Sequence, residues 1–95
     1  MLQAVTRRWD ELLGARIDRV EGGERGETTI SLSLGGAAWT VTVARTRALR
    51  SSLTATPSGA VERVTPVFTD DAAMLTLETH GGELLTVAGG RAWMG

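Results

Sequence analysis

The chain has 95 residues, 42% of them hydrophobic and 22% charged, with a formal net charge of −1, which describes one small globular domain and not a disordered chain. It contains no cysteine, which excludes disulfides, thiolate metal sites and a cysteine nucleophile, and fits a reducing compartment. No apolar run approaches the roughly 18 residues of a membrane span, and arginines and acids interrupt the opening segment, so the expectation is a cytoplasmic protein without a membrane contact.

In residues 1–14, Leu2, Val5, Trp9, Leu12 and Leu13 recur at spacings of three and four, which predicts an N-terminal helix stopped by Gly14. From residue 15 the period becomes two. Ile30, Leu32 and Leu34 alternate with Thr29, Ser31 and Ser33, the pattern of a strand buried on one face. After Gly35-Gly36 the alternation resumes, with Trp39, Val41 and Val43 against Thr40 and Thr42, so a hairpin is expected. These strands make a first β unit over 15–50. The stretch 51–58, rich in Ser, Thr and Pro, reads as a linker. A second β unit over 59–95 places Leu75 and Leu77 inward, turns at His80-Gly81-Gly82-Glu83 and closes with Leu85 and Val87.

The two units share a phrase. Ile17-Asp18-Arg19-Val20 has its echo in Val61-Glu62-Arg63-Val64, and Leu32/Leu77, Gly35/Gly81, Gly36/Gly82, Thr40/Thr86 and Val41/Val87 also coincide at offsets of 45 and 46. The reading is a duplicated three-stranded unit, since one such unit exposes an apolar face that only a second can cover. A spacing of three between Ile17 and Val20, and between Val61 and Val64, cannot lie on one face of a regular strand. Either a bulge intervenes or the side chains serve opposite faces, and both copies should share the choice.

Few residues offer chemistry. His80 is the only histidine; it sits in a predicted turn near Glu78 and Glu83 with no nucleophile motif beside it. Asp70-Asp71 read as turn residues that point apart. The glycines of "GGERG" lack the ending of a phosphate loop and are lined by glutamates. One histidine without cysteine leaves no metal site and no cofactor is implied. Arg45, Arg47 and Arg50 form a basic cluster, with Arg45 and Arg47 expected to extend the face of Val41 and Val43. Nucleic acid is disfavoured by the net charge and by the lack of an aromatic stacking strip. Trp9 and Trp39 are expected in the core, whereas Trp93-Met94 must either fold back or await a partner.

The pattern "LGARIDRV…ISLSLGGAAWTV" and "GAVERV…LTLETHGGELLTVAGGRAW" resembles small bacterial domains of unknown function, in which G-x-x-V-x-x-V precedes L-x-L, a Gly-containing turn and L-x-V. That resemblance implies a fold and no activity. The expectation is a mainly β (α+β) domain: an N-terminal helix and about six antiparallel strands in two repeated three-stranded units, forming a small barrel or roll. Functionally, the scarcity of reactive side chains points to a non-enzymatic protein-binding module, an inhibitor or immunity-type role being one version. Trp93, Met94, Arg45 and Arg47 are its candidate partner surface. A structural homo-oligomer such as a homodimer, and a small barrel holding an apolar ligand, are the alternatives.

Overall fold

The computed structural model describes residues 9–95. Eight strands account for most of them: β1 Arg16–Gly22, β2 Thr28–Leu34, β3 Ala37–Ala44, β4 Ala48–Ser51, β5 Val61–Phe68, β6 Ala73–Thr79, β7 Leu84–Gly89 and β8 Arg91–Met94. They form two antiparallel four-stranded sheets, sheet I in the order β1-β2-β3-β8 and sheet II in the order β5-β6-β7-β4. The domain is mainly β, as expected, but the sheets stay open and no barrel closes. The two strands beyond the expected six, β4 and β8, have four residues each, too few to show an alternation.

The expected helix over 1–14 is not supported. Residues 1–8 lie outside the described residues, and Trp9–Leu12 is a single 3-10 turn. Leu12 is fully buried while Leu13 is 45% exposed, so the apolar spacing does not mark one face. Gly14, at φ +88°, swings the backbone away, and its N–H bonds the Val61 carbonyl at 2.7 Å instead of continuing a helix.

Both sheets share one connectivity: three successive strands form a meander, and the fourth crosses to the edge of the other sheet. The first strands meet at the joint between sheets, where Arg16 and Ala60 form an antiparallel bridge. Around it the hydrogen bonds come in matching pairs. Gly14 N–H donates to Val61 O at 2.7 Å and Ser58 N–H to Ile17 O at 2.9 Å. Val61 N–H then reaches Ala15 O directly at 2.8 Å. Its counterpart, Ile17 N–H, meets the Ser58 hydroxyl at 2.9 Å, and that hydroxyl donates onward to Gly59 O at 2.7 Å. A buried side chain thus relays a bond that the backbone makes alone on the other side.

The three-residue spacing resolves as a bulge in both copies of the phrase. The β1–β2 register skips Asp18 between Ile17 and Arg19, and the β5–β6 register skips Glu62 between Val61 and Arg63. One extra residue resets the alternation, so Ile17 with Val20, and Val61 with Val64, can face the same side. Further along, the register departs from the sequence pairing. Val20 pairs Ile30 while Val64 pairs Leu77, so Leu77 corresponds to Ile30 and not to Leu32. Likewise Gly90 N–H bonds Ala44 O and Arg47 N–H bonds Ala88 O, which matches Thr86 with Thr42 and not Thr40. A two-residue slip leaves every inward side chain inward, so alternation alone cannot detect it.

The turns differ too. Gly35 and Gly36, at φ +59° and +87°, close β2–β3 as a two-residue loop that requires positive φ at both positions. The β6–β7 loop has three residues, His80 to Gly82, closed by Thr79 N–H on Glu83 O, with Gly82 at φ +81°.

The inner faces meet in one core: Ile17, Ile30, Leu32, Val41 and Val43 of sheet I against Val61, Leu75, Leu77, Leu85 and Val87 of sheet II, with Leu12 and Ala15 at the joint. Leu34, expected inside, is 37% exposed at the last position of β2. Trp39 is half-buried against the core, and Trp9 packs there too, its ring 5.7 Å from that of Phe68.

Candidate functional site

Trp93 pairs with Thr42 and Met94 with Val41 in the β3–β8 register. Val41 faces the core, so the alternation turns Met94 inward, half-buried, and Trp93 outward. The terminal Trp-Met pair therefore divides: Met94 folds back and Trp93 stays 47% exposed. Arg91, two residues earlier on the same outer face, places its guanidinium carbon 5.9 Å from the Trp93 ring centroid, within cation–π range. Around them the outer face of sheet I is small and polar, with Thr40 and Thr42 on β3 and Thr29 and Ser31 on β2.

Arg45 and Arg47 do not join this patch. The expectation that they extend the face of Val41 and Val43 fails because β3 ends at Ala44 and Arg45 has φ +53°, a left-handed conformation that ends the alternation. The cause is the crossing of the two sheet-to-sheet connections. A Cβ on Gly89 would lie 2.5 Å from Ala44 O, and one on Gly90 would lie 2.6 Å from Arg45 Nε, so the Arg45 guanidinium lies against Gly90. Arg47 emerges at sheet II beside Val67, Met74 and Ala88, in an open cleft of about 150 Å³. Val67, Met74 and Leu84 leave a second, aliphatic set of exposed side chains on that sheet's outer face.

His80 pairs with neither of its sequence neighbours. Its Nδ1 lies 2.7 Å from Oε1 of Glu62, the bulge residue of β5, with the imidazole largely in solvent and the Glu62 side chain partly covered. Asp70 and Asp71 sit in the exposed β5–β6 turn, where Thr69 Oγ1 donates to Asp71 Oδ1 at 3.3 Å. Among the described residues no three His, Asp or Glu side chains are grouped to hold a metal ion, and no helix is long and apolar enough to cross a membrane.

The four residues singled out from sequence thus fall in three places: Trp93 on the outer face of sheet I, Met94 in the core margin, Arg45 and Arg47 at the crossing. Arg91 was missed, because its place beside Trp93 follows only once 91–94 is known to be a strand. Met74 and Leu84 were missed too; each precedes an inward leucine and so must face out. No protein-family model, curated protein or solved structure matches the chain.

Proposed function

We propose that this chain is a non-catalytic protein-binding module of a small cytoplasmic bacterial protein, built from two copies of one β unit, with Trp93 and Arg91 at the centre of its contact surface. One observation carries the reading: a tryptophan held 47% exposed on an edge strand, with an arginine over its ring. Tryptophan and arginine supply much of the binding energy in protein interfaces, and here both stand on a flat sheet face where a partner can cover them. An inhibitor or immunity-type role is the version in which that partner is an enzyme. The test compares immobilised wild type with Trp93→Ala and Arg91→Ala in capture from the native host, followed by affinity measurement on the purified partner. The expected result is one partner weakened at least about tenfold by either substitution at unchanged melting temperature. A partner that binds both variants as tightly as wild type would move the contact surface elsewhere.

A homo-oligomer is the second reading, favoured by the open edge of β8. Thr40 and Gly95 exchange both backbone bonds across β3–β8, which aims the N–H and C=O groups of Ala92 and Met94 away from β3.

A further inference from the structure

Strand β8 is a lightly held edge element, and it pairs in sheet I although the meander that precedes it, β5–β7, lies in sheet II. Only four residues long, it pairs with one neighbour, β3, through four residue pairs from Val41↔Met94 to Ala44↔Arg91. None of its side chains is fully buried: Arg91 and Trp93 face out, and Ala92 and Met94 are only partly covered. The fully buried core, drawn from β1–β3, β5–β7, Leu12 and Ala15, contains no residue of β8; Ala92 and Met94 pack only against its margin. Both fourth strands are tied on beyond their last residue: after β4, Ser52 N–H bonds Leu84 O at 2.8 Å and Thr54 N–H reaches Glu83 Oε2 at 2.9 Å, and after β8, Gly95 N–H bonds Thr40 O at 2.8 Å and Thr40 N–H bonds Gly95 O at 3.0 Å.

The connection into β8 is a hinge under constraint. Gly89 threads past the Ala44 and Arg45 carbonyls so closely that it has no room for a side chain, Gly90 lies under the Arg45 guanidinium, and Arg45 adopts φ +53° on the opposing connection. Short connections that cross under constraint favour opening, and the acceptor edge left on β3 is already shaped for one sequence, Arg91–Met94. The structure shows that occupant in place, so the chemistry of the alternative occupant is known: an identical strand from another molecule.

We propose that β8 is an exchangeable strand, and that the edge of β3 over Val41–Ala44 is a docking site for β8 of a second copy of this chain. In the exchanged dimer the second copy supplies Arg91–Met94 to sheet I of the first, every β3–β8 pair is remade between chains, and the Gly89-Gly90 connection runs between bodies instead of back past Arg45. Trp93 and Arg91 then sit on the partner molecule's sheet. This inference does not depend on the foreign-partner reading above.

Cysteine trapping tests it, because the chain has no native cysteine. Val43 and Ala92 face each other in the register, two residues from the inward pair Val41 and Met94 and between the doubly bonded pairs, where Cβ atoms approach closely. The double variant Val43→Cys/Ala92→Cys, oxidised at low concentration, should close within one chain. If it does not, β8 is not on β3 and the proposal falls with the register. Full-length chains carrying Val43→Cys alone and Ala92→Cys alone are then mixed at high concentration below the melting temperature and oxidised. The control mixes Thr29→Cys with Thr42→Cys, a pair within the central meander. Because edge elements open at lower cost than central ones, the β3–β8 mixture should give about tenfold more disulfide-linked heterodimer than the control. Equal yields from the two mixtures, alongside clean intrachain closure of the double variant, would show that β8 stays with its own chain and would overturn the proposal.

Discussion

Ser58 shows how much one hydroxyl can hold. Buried to 2% exposure, its Oγ accepts from Ile17 N–H and donates to Gly59 O at the point where the two sheets join. Ser58→Ala leaves a buried amide without its acceptor, and an unsatisfied buried donor costs about 1–3 kcal/mol. Urea titration should show that loss at unchanged slope; a loss below a few tenths would mean that the strands close up and bond directly. Thr79 is the opposite case. Its hydroxyl is fully buried and has no hydrogen-bond partner among the described residues, so Thr79→Val should raise stability by about 1 kcal/mol, since it removes an unmet polar group at nearly constant shape. At the crossing, Gly89→Ala drives a methyl group into Ala44 O and Val43 Cγ1. Backbone cannot yield as a side chain can, so a loss of about 2 kcal/mol or more is expected. Gly81→Ala, whose Cβ would meet nothing within 4 Å, should stay within about 0.5 kcal/mol of wild type and serves as its control.

At the scale of elements, what the chain discloses depends on how many residues repeat a pattern. β2, β3, β6 and β7 have six to eight residues each and carry alternating apolar side chains, so their existence and inward faces were legible. The bulges were legible as a question because the awkward spacing occurs twice, and the register answers it. β4 and β8 were not, because "ALRS" and "RAWM" are too short for a period and their place is set by the edges open to them. The 3-10 turn was misread because Leu12 and Leu13 look alike in sequence, while only Leu12 finds a cavity to fill. Of the candidate surface, Trp93 was legible from its odd position; the separation of Arg45 from it was not, since nothing local announces a left-handed arginine. Element stability follows from the same geometry. β8 has one neighbour and no fully buried side chain, so its amides bonded to β3, such as Trp93 N–H, should exchange with deuterium at least about tenfold faster than that of Val41 in the central strand beside it. Equal protection would mean that β8 opens only when the whole domain unfolds.

For the whole molecule, the exchange of fourth strands makes each half a customer of the other. Sheet I lacks its edge without β8, sheet II lacks its edge without β4, and the single core draws on both inner faces. A three-stranded meander with one uncovered apolar face is marginal in water. Fragments 1–55 and 56–95 are therefore expected to lack strand structure and a cooperative melting transition when separate. Mixed in equal amounts they should recover both, since the break falls in the exposed segment between β4 and β5 and severs no strand pairing. Circular dichroism of each fragment and of the mixture decides it. If either fragment melts cooperatively by itself, its core is self-sufficient and the exchanged strands only trim the edges. If both are unfolded and the mixture folds, the two halves are obligate partners, and the fold is an assembly held in one chain.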